Sequence, residues 1–210
     1  MRLGNALVSG VVAGVSRADL LRRGGRSGVA LLLAGPALAV APAKARAATS
    51  DNDLAYARLF VACELLACDF YRRALGSRHF DSGSLEALRG SLYDERKHLH
   101  AVGEILRAAG QAPAKPGDID FSYPARAFAS RTAIAALGAR LETLFRGAYL
   151  GAVAGFDAGD LKALAARIAA SEAQHLSVFA GEAGGERIGP AFPRPLTIDQ
   201  ASDQLDRFTA

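Results

Sequence analysis

Apolar residues recur at alternating steps of three and four along the chain from Asp51 onward. This spacing places them on one face of an α-helix and does not fit the two-residue period of a strand. Ala, Leu, Glu and Arg, which lose little side-chain freedom in a helix, are abundant in the same region. The pattern predicts four helices, at about residues 51–75, 85–110, 131–156 and 161–183, with Ser84 as the N-cap of the second.

The lengths of the connections predict how these helices pair. Short connections follow the first and third helices, whereas about twenty residues rich in Pro and Gly, Gln111–Ser130, separate the second from the third. Two antiparallel hairpins joined by a crossover are a known four-helix bundle topology. We therefore predict an all-α, antiparallel four-helix bundle over residues 48–183, with Phe121, Tyr123 and Phe128 of the crossover packed along its side.

Residues 184–210 are predicted to form a C-terminal tail. The tail contains three prolines and then a short amphipathic helix that opens at Thr197. We interpret this helix either as a strap across the bundle or as a contact in an oligomer.

Each of the four apolar stripes contains a glutamate near its middle, and these are Glu64, Glu95, Glu142 and Glu172. An isolated carboxylate in a bundle core costs several kcal/mol, so four of them require protons or cations as partners. Because no Lys or Arg occupies these stripes, metal ions are the simplest counter-charge.

Two of these glutamates belong to Glu-x-x-His motifs, Glu95–His98 and Glu172–His175. Residues three apart are neighbours on a helix surface, so each motif offers one oxygen and one nitrogen ligand on a single face. Glu64 precedes the first motif by 31 residues, and Glu142 precedes the second by 30. This repetition indicates a duplicated helical hairpin, in which each half supplies one Glu and one Glu-x-x-His.

This pattern resembles the ligand set of the ferritin-like di-iron and di-manganese carboxylate proteins. The resemblance implies a ferritin-like fold and two iron or manganese ions, with Glu95 and Glu172 shared between the two metals. It also implies how the other four ligands divide: Glu64 and His98 complete one site, and Glu142 and His175 complete the other.

Tyr71 lies seven residues after Glu64, and Tyr149 lies seven residues after Glu142. In similar bacterioferritin-like proteins such tyrosines hydrogen-bond a ligand carboxylate and in some cases are redox-active, which makes both candidates for a catalytic role. Alternatively, they only fill the core with a hydroxyl at a polar centre. Asp94 resembles the acid that orients a metal-bound histidine in such relatives, and Ser171 stands in the equivalent place of the second motif.

Other residues narrow the resemblance. No Cys-x-x-Cys pair is present for the iron centre of a rubrerythrin tail. The only methionine is Met1, so the axial methionine that binds haem in bacterioferritins has no counterpart and no haem is expected. Cys63 and Cys68 are predicted to be buried apolar side chains, because two residues five apart on one helix do not face each other.

The formal charge of +4 is concentrated in the first 47 residues, which contain seven basic residues and one acid and leave a net −2 for the remainder. This segment contains the apolar stretch Gly28–Pro42, which is shorter than a membrane-spanning helix, followed by a small-residue cleavage pattern that ends at Ala47. We predict a cleaved export signal over residues 1–47. Ser16–Arg22 resembles the twin-arginine motif with Ala18 in place of the second arginine, so the export route stays open between the twin-arginine and general secretory pathways.

The leading hypothesis is an exported protein, periplasmic, cell-surface or secreted, whose two metals react with oxygen or peroxide in ferroxidase or peroxidase chemistry. Two alternatives remain open: a metal-binding or iron-storage protein, and a stress-related surface protein in which metals only stabilise the bundle. The expected partners are metal ions and oxygen or peroxide. Nucleic acid and a stable membrane span after cleavage are not expected, and a homo-oligomer is left open.

Overall fold

A computed structural model describes residues 49–185 and 188–209 of the chain. Five α-helices are present in this part, and their bounds are α1 Asp51–Gly76, α2 Ser82–Ala108, α3 Arg131–Gly155, α4 Gly159–Glu182 and α5 Ile198–Leu205. A short 3₁₀ turn, Asp206–Phe208, follows α5. The predicted export signal lies outside the described residues.

The four long helices form two packed hairpins, α1 with α2 and α3 with α4. The crossover between α2 and α3 joins the two hairpins, and α5 packs mainly against α3. The predicted all-α four-helix bundle with a long crossover and a short C-terminal helix is thereby confirmed. None of the helices in the described residues is long and apolar enough to cross a membrane.

Polar side chains fix the starts of three of these four helices. Ser50 caps α1, Asp81 caps α2 and Ser130 caps α3, each by accepting a hydrogen bond from a backbone N–H three residues later. The prediction that Ser84 caps α2 was wrong. Asp81 Oδ1 accepts from the Ser84 N–H at 2.8 Å, and the Ser84 hydroxyl instead donates to Glu182.

Two further helix boundaries differ from the predicted ones. α2 ends at Ala108 because Gly110 adopts a left-handed conformation with φ of 75°, which a helix cannot continue through. α4 begins two residues before Leu161, behind a tight turn whose backbone N–H groups are bound by a residue of another helix. Asp53 of α1, 1 % exposed, accepts from Asp157 N at 2.6 Å and from Ala158 N at 3.2 Å.

The crossover lies along the bundle, where Phe121, Tyr123 and Phe128 pack against the core. The tail lies against α3, and the Leu196 N–H donates to the Gly147 carbonyl at 2.8 Å. A side chain at Gly151 would place its Cβ 1.7 Å from the Leu196 carbonyl oxygen. Glycine is therefore required at position 151 for the tail to approach the helix backbone this closely.

Candidate metal centre

Each of the four long helices contributes one glutamate to the middle of the bundle, at the positions that the stripes predict. Glu64 is 1 % exposed, and Glu95, Glu142 and Glu172 are 0 % exposed. The helical period turns these side chains inward together with their apolar neighbours, so the bundle core has a polar layer between two apolar ones.

The two predicted histidines lie in the same layer. His175 is 4 % exposed, and the His98 side chain is 13 % exposed. Within the described residues, the potential ligand atoms form two overlapping groups, in each of which all atoms lie within 4.8 Å of one another. The first group is Glu64, Glu95, His98 and Glu172, and the second is Glu95, Glu142, Glu172 and His175.

Both histidines direct Nδ1 towards the two carboxylates that the groups share. His98 Nδ1 lies 3.1 Å from Glu172 Oε1 and 3.3 Å from Glu95 Oε2. His175 Nδ1 lies 2.9 Å from Glu95 Oε1 and 2.9 Å from Glu172 Oε2. Each imidazole therefore contacts the shared glutamate of its own motif and that of the other motif.

The two buried tyrosines connect the hairpins in a reciprocal way. The Tyr71 hydroxyl on α1 donates to Glu142 Oε1 on α3 at 2.5 Å, and the Tyr149 hydroxyl on α3 donates to Glu64 on α1. Each tyrosine thus binds the unshared glutamate of the opposite hairpin and orients its second oxygen.

One oxygen of each glutamate has no hydrogen-bond partner in the described structure. These buried atoms are Glu64 Oε2, Glu95 Oε1, Glu142 Oε2 and Glu172 Oε1. Imidazole nitrogens approach the Glu95 and Glu172 atoms closely, but not in a direction that makes a hydrogen bond. Unsatisfied carboxylate oxygens are rare and costly in a protein core. Four of them beside two imidazoles are a donor set that fits iron or manganese.

Burial and mutual repulsion hold protons in this cluster when no metal is considered. Desolvation, together with the charges of Glu95 and Glu172, raises the pKa of both Glu64 and Glu142 well above the usual 4.5. Burial alone would also raise the pKa of Glu95, but hydrogen bonds from His175 and His98 lower it to about 2.

The histidines show the opposite response. Burial alone would lower their pKa values, yet hydrogen bonds and charges from the glutamates raise the pKa of His98 to about 9 and that of His175 to about 11. At neutral pH, protons therefore occupy groups that a metal ion would need deprotonated.

Two residues beside the cluster differ between the hairpins. His175 Nε2 lies 3.8 Å from Asp94 Oδ2, so the acid that precedes the first motif faces the histidine of the second. Ser91, which the sequence analysis missed, is buried near Tyr71 and partly offsets the rise in the pKa of that phenol. Its position one helical turn before Glu95 is a sequence signal that could have indicated it.

The remaining sequence candidates lie away from the cluster or have no ligand role in it. Cys63 and Cys68 are both buried, as predicted, and burial raises the pKa of the Cys68 thiol to about 11. The His100 side chain is 73 % exposed, and His79 is also exposed.

An antiparallel four-helix bundle whose core holds four glutamates and two histidines defines the class of ferritin-like, metal-binding proteins. Residues 52–184 match the family model described as a ferritin-like domain, and the chain belongs to that family. None of the curated proteins matches the chain.

Proposed function

We propose that the buried cluster binds two iron or manganese ions and that the protein uses them in ferroxidase- or peroxidase-type chemistry with oxygen or peroxide. The observation that supports this most is the overlap of the two ligand groups in Glu95 and Glu172. One shared pair of carboxylates beside two unshared Glu–His pairs fits a dinuclear centre better than two independent sites.

In this proposal, Glu64 and His98 bind one ion, Glu142 and His175 bind the other, and the shared glutamates bridge both. A pair of such metals supplies the two electrons that reduction of an O–O bond requires. The residues of the chain have separate tasks. Tyr71 and Tyr149 orient the unshared carboxylates through their hydroxyl groups.

Burial gives the cluster a second property that suits this chemistry. The side chains that surround it exclude bulk water, which strengthens every electrostatic interaction inside. The groups with raised pKa values release protons when metals bind, and they lie where protons are needed when oxygen is reduced.

Metal content, measured by mass spectrometry on protein purified without added metal, tests the binding part of the proposal. We expect about two iron or manganese ions per chain, as the duplicated ligand set predicts. The double variant Glu95→Ala/Glu172→Ala should contain none, and Glu104→Ala, which removes an exposed glutamate of α2, should be unchanged. A folded wild type that takes up neither metal would contradict the assignment.

Consumption of oxygen and of hydrogen peroxide by the metal-loaded protein tests the redox part. Turnover by a monomer or small oligomer supports an enzyme, whereas a large hollow assembly on size exclusion supports iron storage. Metal binding without any oxidation, combined with loss of folding in the double variant, supports a purely structural role for the metals.

We also propose that the protein is exported. The support is the sequence of residues 1–47, in which arginines precede a short apolar stretch and a small-residue cleavage pattern. N-terminal sequencing of the protein from its native host tests this: a mature chain that begins at Ala48 is expected, and a chain that retains the arginines contradicts cleavage.

A further inference from the structure

Two chains of aromatic rings lead away from the buried cluster, one from each tyrosine. The first begins at Tyr71, continues to Phe70 at 5.4 Å between ring centroids, then to Phe128 at 6.0 Å, and ends at Tyr123 of the crossover at 5.1 Å. Tyr71 thus touches Glu142 through its hydroxyl and begins a continuous ring path through its other contacts.

The second chain begins at Tyr149 and leads towards the other end of the bundle. Phe60 stacks on Tyr149 with 4.0 Å between centroids, and Tyr56 follows at 6.0 Å with Phe156 beside it at 5.2 Å. Both chains therefore end in a tyrosine that lies outside the metal cluster.

The two terminal tyrosines have different surroundings. Tyr123 is partly exposed, and its hydroxyl donates to Asp69 Oδ2 at 2.9 Å, whereas Tyr56 is buried at 8 % exposure. Within residues 49–185 and 188–209, Tyr123 is the one tyrosine outside the cluster whose hydroxyl donates to a carboxylate. Arg73 covers its ring at 5.2 Å and also donates to Asp69.

The hydrogen bond to Asp69 matters because oxidation of a phenol at neutral pH must remove a proton together with the electron. Burial and the charge of Asp69 raise the pKa of Tyr123, so the phenol does not ionise before it is oxidised. A carboxylate at 2.9 Å can accept the proton at the moment the electron leaves.

We propose that Tyr123 is the surface exit of the centre: the residue at which small one-electron reductants at the protein surface deliver electrons to the buried cluster, through Phe128, Phe70 and Tyr71. This inference rests on the proposed redox function. It assigns to the crossover a role in electron delivery, and to Asp69 the role of proton acceptor.

The step balances as follows. The oxidant is the metal pair after its reaction with oxygen or peroxide. One electron moves from Tyr123 along the ring chain to the cluster, and the phenolic proton moves to Asp69, which leaves a neutral phenoxyl radical. An external reductant of the phenol or enediol class then returns one electron, and Asp69 returns the proton to the phenol oxygen.

A nitroso spin trap, added to metal-loaded protein during reaction with hydrogen peroxide, tests this directly. The trap adduct is located by mass spectrometry of peptides, and the tyrosyl radical is followed by electron paramagnetic resonance. Tyr93, which is 59 % exposed on α2, reports unspecific oxidation from solution. Phe128→Leu interrupts the proposed chain, and Phe156→Leu is the matched substitution beside the other chain.

We expect the adduct on Tyr123 to exceed that on Tyr93 severalfold. Phe128→Leu and Asp69→Asn should each lower the Tyr123 adduct severalfold with metal content unchanged, and Phe156→Leu should leave it as in the wild type. An adduct mainly on Tyr93, or one on Tyr123 that Phe128→Leu does not change, overturns the inference while metal oxidation proceeds. If the loaded protein oxidises neither its metals nor any tyrosine, the proposed redox function fails and the exit fails with it.

Discussion

The two hairpins of the bundle supply the same ligand types but surround them differently. α1–α2 and α3–α4 each provide one glutamate and one Glu-x-x-His, and their tyrosines bind each other's unshared glutamate. Asp94, however, contacts only the histidine of the second hairpin, and the tail packs mainly on α3. A duplicated hairpin must keep the donor set, whereas the residues around it are free to diverge. We therefore expect two sites of equal composition and unequal properties.

Removal of one unshared carboxylate should have the largest effect, because it breaks one half and spares the other. Glu64→Ala is expected to abolish the site with His98, and Glu142→Ala the site with His175, so that metal content falls from about two ions per chain to about one in each variant. Mass spectrometry of the purified variants measures this. Retention of both ions in either variant would contradict the division of ligands between the halves.

The stability of the metal-free protein should fall as the pH rises above 6.5. Both histidines have a folded-state pKa above the ordinary 6.5, so their stabilising contribution is complete below that pH and is lost through about 9 for His98 and about 11 for His175. Glu64 and Glu142, whose pKa values are also raised, act in the same direction.

The two histidines offer a matched pair of variants for this pH dependence. Urea unfolding of the metal-free protein should show that His98→Gln removes the loss of stability near pH 9 and keeps the loss at higher pH, while His175→Gln does the reverse. Identical pH profiles for the two variants would show that the histidines titrate as one unit and that the halves do not differ in this respect.

The polar layer could be predicted from the sequence because helical periodicity alone determines which residues share the inner face. Glu64 and His175 are placed inward by the same three- and four-residue steps as their apolar neighbours. The partners of the tyrosines were not predicted. Seven residues span about 10.5 Å along a helix, too far for Tyr71 to reach Glu64, so its partner had to come from another helix whose register the spacing does not determine.

Local chemistry also limited the prediction of helix ends and of the tail. Asp81 and Ser84 are both good cap residues, and the choice depends on Glu182 from α4 as the partner of the Ser84 hydroxyl. The close approach of Leu196 to Gly151 is a contact between distant parts of the chain, and a glycine within a helical pattern is not by itself evidence for it.

Gly151→Ala should sharpen the difference between the hairpins, because only α3 has this contact with the tail. The added Cβ would lie 1.7 Å from the Leu196 carbonyl oxygen, so the tail must move and we expect a loss of about 1–3 kcal/mol in the free energy of unfolding. Gly90→Ala on α2 is the control. No atom lies within 4 Å of its added Cβ, and a gain of up to about 1 kcal/mol is expected. Equal effects in urea unfolding would show that the tail contributes little.

The smallest effect is expected at Asp94, whose carboxylate is the main difference beside the two histidines. Its Oδ2 lies 3.8 Å from His175 Nε2, and its side chain is 45 % exposed. Loss of such a partner weakens metal binding by about 10–100-fold in well-buried sites. Because solvent screens Asp94, we expect Asp94→Asn to weaken the His175 half by about tenfold at most, or roughly 1.4 kcal/mol.

Ser171→Asp provides the opposite change, since Ser171 precedes Glu172 as Asp94 precedes Glu95. If the acid acts by orienting the facing imidazole, this variant should strengthen the His98 half by a similarly small factor and leave the His175 half unchanged. Competition with a chelator, performed in Glu142→Ala and Glu64→Ala backgrounds, measures each half separately. Equal shifts in both halves would mean that the carboxylate acts through its charge on the whole cluster, because a long-range field does not distinguish two sites that share both bridging glutamates.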